Sequence, residues 1–271
     1  MIEPVHEVGT LLNAVEKVRR SATHLTTNWF AAPAQAGAWI GRQVLSYAWA
    51  QDTLLIFRRD RDFIRLYHVS PDPGQLAAAL VGLDRLMPCT VLVSDLVGMP
   101  PQVDAIAAIH VGNGFRLYRS LMRMVGGAGE AGADPTVEFA GPADAGAVAG
   151  FLDALLDRFV DQPPDLDEVR EAAEMRRILM VPHNGLPAAV LWFETTGVSS
   201  LLRYWYVGGE FRSQGLGARL IRTYFDLCRD LRRIQLWVIE DNCAAIAIYR
   251  YYGFRSEGLV DRIVVRDGRQ A

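Results

Sequence analysis

Six consecutive residues, Arg212-Ser213-Gln214-Gly215-Leu216-Gly217, have the makings of an anion cradle. They follow a strand-like run that ends near Val207. They open a helix whose apolar residues (Leu216, Leu220, Tyr224, Leu227 and Leu231) recur at helical spacing. Two glycines two apart at a strand-to-helix turn let the backbone approach a ligand closely. The first amides of the helix have no intrahelical partner and stand at the positive end of its dipole, so several phosphate oxygens can each find a donor. The backbone from Ser213 to Ala218 would supply those donors, and Arg212 would add a charge-assisted contact. The plainer reading is an ordinary tight turn beside a surface arginine.

The spacing narrows the choice of phosphate ligand. A nucleotide P-loop needs Gly-Lys-Ser/Thr, but Gly217 is followed by Ala218-Arg219, and the dinucleotide fingerprint needs a third glycine where Leu220 stands. The segment instead resembles the coenzyme A loop of the GCN5-related N-acetyltransferase (GNAT) superfamily, Arg/Gln-x-x-Gly-x-Gly/Ala. A second family signature follows one strand later. After RIQLWVIE (233–240), the run DNCAAIAIYRYYGF places Asn242, Ala245, Tyr249, Gly253 and Phe254 at the family's spacing. Asn242, Ala245 and Tyr249 fall on one helix face, and Gly253 is a helix stop. The resemblance covers residues 136–271.

The resemblance implies direct attack of a neutral amine on an acyl-coenzyme A thioester, with acetyl-CoA or a longer acyl-CoA as co-substrate and no metal. The thioester oxygen needs a backbone N–H, for which the strand edge at Tyr206-Val207 is placed. Asn242 and Ala245 would flank the thioester, and Tyr249 would protonate the departing thiolate. Against these roles, Asn242 reads equally as a helix N-cap and Tyr249 as a core aromatic like Tyr251 and Tyr252. The base is less legible. The strand SLLRYWYV holds no acid, which leaves Glu194, Glu210 and Glu240 near strand ends, with Glu194 and Glu240 carried forward as catalytic candidates. Cys243 would need a histidine partner to act as a nucleophile, and the five histidines (His6, His24, His68, His110 and His183) form no such motif.

The elements that must hold these residues are α/β (α+β): a mixed, largely antiparallel sheet flanked by helices. A short strand TVEFA, a helix from Pro142 to Val160 and a second helix capped by Asp165 precede three strand-like runs. His183-Asn184-Gly185 and Thr196-Gly197 mark hairpins between those runs. The glycine-rich run VGGAGEAGADPT (125–136) reads as a linker between residues 1–124 and 137–271. The first half is expected to repeat the order of the second, as a degenerate copy of the acyl-CoA N-acyltransferase fold in tandem. Tyr67 to Phe115 spans as many residues as Tyr206 to Phe254, yet His110 takes the place of Tyr249 and the turn after His68 lacks paired glycines. That half is therefore expected to be scaffold or substrate wall.

Composition sets the outer bounds. With 51% hydrophobic residues and a net charge of −3 over 271 residues, the chain can bury a core and has no excess charge for nucleic acid. Three scattered cysteines, no basic-apolar start and no apolar run near ~20 residues predict a soluble, cytoplasmic protein. The expected partner is an amine-bearing small molecule or peptide, with an acyl-carrier protein as another donor and a homodimer through an exposed strand. Two other functions compete: long-chain fatty acyl transfer to an amino acid or lysine-like side chain, and a non-catalytic acyl-CoA sensor.

Overall fold

The computed structural model describes residues 1–88, 90–127, 129 and 131–268. The first half of the chain runs β1 (Glu3–Pro4), α1 (Val8–Ser21), β2 (Thr26–Thr27), α2 (Pro33–Gly41), β3 (Leu45–Ala50), β4 (Thr53–Arg59) and β5 (Ile64–Ser70). It continues through α3 (Pro73–Val81), α4 (Leu83–Leu86), β6 (Leu92–Gly98), α5 (Pro100–Gly112) and β7 (Arg116–Gly126). The second half runs β8 (Glu138–Phe139), α6 (Ala145–Asp153), α7 (Leu166–Glu174), β9 (Ile178–His183), β10 (Leu186–Thr196) and β11 (Ser199–Val207). It ends with α8 (Leu216–Leu227), β12 (Arg233–Ile239), α9 (Cys243–Tyr251) and β13 (Arg255–Arg266). Strands β1, β2 and β3 and helix α2 have no counterpart in the expectations from sequence.

The chain forms two units: Met1–Leu121 with Gly258–Ala271, and Met122–Glu257. In the first, the strand order is β1-β3-β4-β5-β6-β13, with β2 on the side of β5. All these neighbours are antiparallel except β5 and β6, which α3 connects in parallel. The continuous apolar run of β4 follows from helices on both faces: Leu54 and Ile56 pack with α1 and Trp29, Leu55 and Phe57 with α3 and α5. Arg65 is fully buried and held by Asp60 and Asp95, so its charge is paired inside the core. The last strand of the chain supplies an inner partner: Val260–Arg266 pairs along Leu92–Gly98.

In the second unit the order is β7-β12-β11-β10-β9-β8. Helix α8 buries Leu216, Leu220, Ile221, Tyr224 and Phe225 against one face, and α6 and α7 bury Val148, Leu152, Val169 and Ala173 against the other. Asn184 and Gly185, with φ of 51° and 77°, close the β9–β10 hairpin as a two-residue turn whose twist suits the strands. Asp165 and Glu168 cap α7 reciprocally. The helix expected from Pro142 to Val160 stops at Asp153. Beyond it, Asp157 accepts hydrogen bonds from the Phe159 and Val160 amides, a local competition that short acidic side chains win over the helix ladder. The run read as a linker starts inside β7, and it hydrogen-bonds to α8 through Gly132 and Asp134. Ala128 and Glu130 of that run, and Cys89, lie outside the described residues.

Candidate active site

The site grows from two strands that start together and part. Strands β11 and β12 are parallel partners at Ser199↔Arg233, Ser200↔Ile234 and Leu201↔Gln235, where their pairing ends. β11 nevertheless continues to Val207 and β12 to Ile239. A β-bulge stands where they separate: Trp192 faces Tyr204 while Phe193 faces Leu202, so Arg203 is the extra residue. The bulge also changes which side chains face α8. Before it, Ser200 (bonded to the Tyr224 hydroxyl at 2.8 Å) and Leu202 point that way. After it, Trp205 and Val207 take that face, while Tyr204 and Tyr206 turn to α6 and α7.

Backbone donors follow from the same ladder. The Gly208 N–H donates to the Ala188 carbonyl at 2.9 Å, in register with Val207↔Ala189 and Tyr206↔Val190. Because bonded and non-bonded pairs alternate in an antiparallel ladder, the Tyr206 N–H is engaged with β10, and the Trp205 and Val207 N–H groups turn toward the side where β12 has departed. Of the two residues expected to offer a donor there, Val207 has the free direction.

The turn into α8 has two residues at positive φ. Arg212 is extended (φ −61°, ψ 154°), Ser213 has φ 64°, and Gly215 is left-handed at φ 77°, ψ 5° as the N-cap. The ladder of α8 starts with the Arg219 N–H on the Gly215 carbonyl, so the Leu216, Gly217 and Ala218 amides point outward without intrahelical partners. Arg212, Ser213, Gln214 and Gly215 are all exposed. A methyl group built on Gly217 would meet Trp205 and Val207 at 3.5 Å, so the helix start lies directly on the diverging strand. A surface cavity of about 440 Å³, lined among others by Gln214, Leu216 and Arg219, borders this turn.

Tyr249 on α9 stands half-buried against Trp205 and Phe254, with ring centroids 5.8 and 6.0 Å away. Burial, and then the negative charge of Asp161, push its hydroxyl up to about 12. Tyr206 is raised by burial first, then by Asp161 and Tyr249. These groups belong to opposite faces of the sheet, and they sense one another where β11 and β12 have parted. The Asn242 side chain accepts from the Ala245 N–H at 3.0 Å, so it caps α9.

The carboxylates divide sharply. Glu194 faces Leu201 at the paired end, six residues along β11 from Val207, or roughly 20 Å at ~3.3 Å per residue. It is ion-paired to Arg203 at 3.2 Å. Glu240 directly follows β12 at the parted end and is half-buried, and Glu210 is exposed in the turn Gly209–Phe211. Sequence reasoning passed over Asp161, which the loop after α6 brings toward Tyr206 and Tyr249. Asp153, Asp157 and Asp161 recur every four residues, which reads as the solvated side of a helix. Among the described residues no three His, Cys, Asp or Glu side chains gather as a metal would require, and no helix is long and apolar enough to cross a membrane.

Comparison with known proteins agrees with this fold. Residues 148–254 match the model of the acetyltransferase (GNAT) family. Over 65 residues the chain is 32% identical to the L-amino acid N-acetyltransferase AaaT of Escherichia coli (strain K12), a stretch covering 23% of this chain. The chain thus spans 40% of the length of that curated relative. A tandem GNAT protein from the clavulanic acid biosynthesis pathway aligns over 100% of this chain and 99% of its own, with a TM-score of 0.60 at 15% identity. A GCN5-related N-acetyltransferase from Sphaerobacter thermophilus aligns over 100% and 96%, with a TM-score of 0.58 at 12% identity. At these identities the two structures speak to the fold, and they do so for both units.

Proposed function

Because residues 148–254 are a domain of the acetyltransferase (GNAT) family, we propose that the protein moves an acyl group, acetyl by default, from acyl-coenzyme A to a primary amine of a small molecule or peptide. The observation that carries this reading is the parting of β11 from β12 beside the left-handed turn into α8. A pyrophosphate meets the outward amides of Leu216 to Ala218, the turn Ser213 to Gly215 beside them and the Arg212 guanidinium. The pantetheine arm then enters between the strands. The thioester oxygen accepts from the Val207 N–H, a donor aimed at the charge that develops during attack. Asn242 acts through its cap, fixing the first turn of α9 and with it Ala245 and Tyr249. The Tyr249 hydroxyl, protonated at every pH near neutral, gives its proton to the leaving sulfur. The name of the Escherichia coli relative makes free amino acids the first acceptors to try.

A thermal-shift titration with coenzyme A, acetyl-CoA and longer acyl thioesters tests this reading. A ligand at 100 times its Kd stabilises the fold by about 2.7 kcal/mol. Gly217→Glu should remove the effect, because the new side chain sets a carboxylate where phosphate belongs, on a helix start already in contact with Trp205 and Val207. A melting curve indifferent to every thioester would rule the reading out. The chain length that stabilises most identifies the donor.

A further inference from the structure

Within the acyl-transfer reading just given, on which this inference rests, one carboxyl group remains unused. The loop after α6 is built from interlocked acidic side chains. Asp157 Oδ1 accepts from the Phe159 and Val160 amides at 2.9 and 3.2 Å, and Asp161 Oδ2 accepts from the Asp157 N–H at 2.8 Å. One oxygen of Asp161 is thereby fixed, and its Oδ1 takes no hydrogen bond among the described residues. The Tyr204 hydroxyl, from the strand that parts from β12, donates to the Asp161 and Gln162 carbonyls at 2.8 Å each. That pair of bonds ties the loop to β11 immediately after its bulge. Burial, reinforced by the charge of Asp157, pushes the Asp161 carboxyl up to about 6, against the Asp157 N–H bond that favours ionisation. A carboxylate raised this far is still ionised at neutral pH and holds a proton better than an exposed one near ~4.

The charged and titratable groups around it come from every neighbouring element. They are Asp157 in its own loop, Tyr204 and Tyr206 on β11, Tyr249 on α9, and, through Tyr204, Arg203 and Glu168. Tyr249 lies with α8 and α9 on one face, and Asp161 lies in the loop over the other. A thioester between β11 and β12 would therefore have a proton donor on one side and a carboxylate on the other.

We propose that Asp161 is the base that takes the proton from the acceptor's ammonium group. The ammonium gives one proton to the Asp161 carboxylate and becomes an amine. Its lone pair forms the C–N bond at the thioester carbon, and the C–S bond breaks. The departing sulfur takes the Tyr249 proton, and the surplus proton on the new amide nitrogen restores the Tyr249 hydroxyl. One proton ends on coenzyme A, and Asp161 returns the other to water.

The test follows thiol release from acetyl-CoA with a panel of free amino acids and polyamines, from pH 5 to 9, for wild type, Asp161→Asn and Asp161→Glu. Asparagine keeps an oxygen to accept from the Asp157 N–H, so the loop stands. Asp161→Asn should lower kcat about 100-fold or more and remove the limb of kcat/KM near pH 6, while acetyl-CoA still raises its melting temperature. Asp161→Glu should recover part of the rate. Activity within threefold of wild type, with the limb intact, overturns the assignment. A wild type that neither binds acetyl-CoA nor acylates any amine defeats the acyl-transfer reading itself. In that case a carbon-13 titration of the Asp161 carboxyl decides the remaining question: a midpoint near 6 upholds a proton acceptor there, and one in the ordinary range near ~4 overturns it.

Discussion

At the scale of single residues, Tyr249 can be separated from the core aromatics around it. Tyr249→Phe keeps the ring contacts with Trp205 and Phe254 and removes only the hydroxyl. We expect kcat to fall about 100-fold with acetyl-CoA binding intact. A variant within threefold of wild type would reduce Tyr249 to packing. A second prediction concerns His68 and His110, fully buried in the first unit with ring centroids 5.4 Å apart. Among the described residues neither His68 nitrogen nor His110 Nε2 finds a hydrogen-bond partner. Burial lowers both, His68 well below its usual value and His110 to about 4. The unfolded chain, with histidines near 6.5, then binds more protons than the folded one between pH 6.5 and 4. Stability is full above pH 6.5 and is lost as pH falls toward 4, by on the order of 3 kcal/mol for His110 alone. Urea unfolding across that window should show a shallower slope for His110→Phe, and identical slopes would sink the idea. The sequence made Gly215, Gly217 and Tyr249 legible because their spacing is local. Asp161 was hidden because its neighbours are gathered by chain turns that no spacing records, and Glu194 misled because nearness to a strand end does not say which end.

At the scale of elements, the bulge at Arg203 does the positioning. The run SLLRYWYV could not reveal it, since both faces of β11 are buried against aromatic or apolar groups and no polar alternation marks the phase. The β9–β10 turn was readable because Asn-Gly has one strong preference. The strands β9 to β12 were readable for their β-branched and aromatic content. The helix α6 was overestimated because the apolar spacing continues through Leu155, Leu156 and Phe159 after the backbone has turned away. Deleting Arg203 joins Leu202 to Tyr204 in regular alternation, keeps Trp205 and Val207 on the α8 face, and removes the local bend and extra twist that the bulge gives β11 where it leaves β12. Such a variant should retain strand and helix by circular dichroism while losing stabilisation by acetyl-CoA. Undiminished stabilisation would mean that the bulge does not set the site.

At the scale of the whole molecule, the first unit draws one of its strands from the far end of the chain. Removing the residues after Glu257 strips β13 from β6 and leaves an unpaired apolar edge, with Val93 and Leu96 among its buried residues. The truncated chain should aggregate, and a soluble product with native melting behaviour would contradict the pairing. The same connection governs the order of events on the ribosome. Leu121 leaves the exit tunnel well before the strand its unit needs, roughly 140 residues ahead, or about 7–28 s at ~5–20 residues per second. For that interval the earlier half waits unfinished while the later half is being made. The nascent amino-terminal half should therefore stay open to protease until translation has passed Arg266, and chaperones that shield β-edges have their moment then.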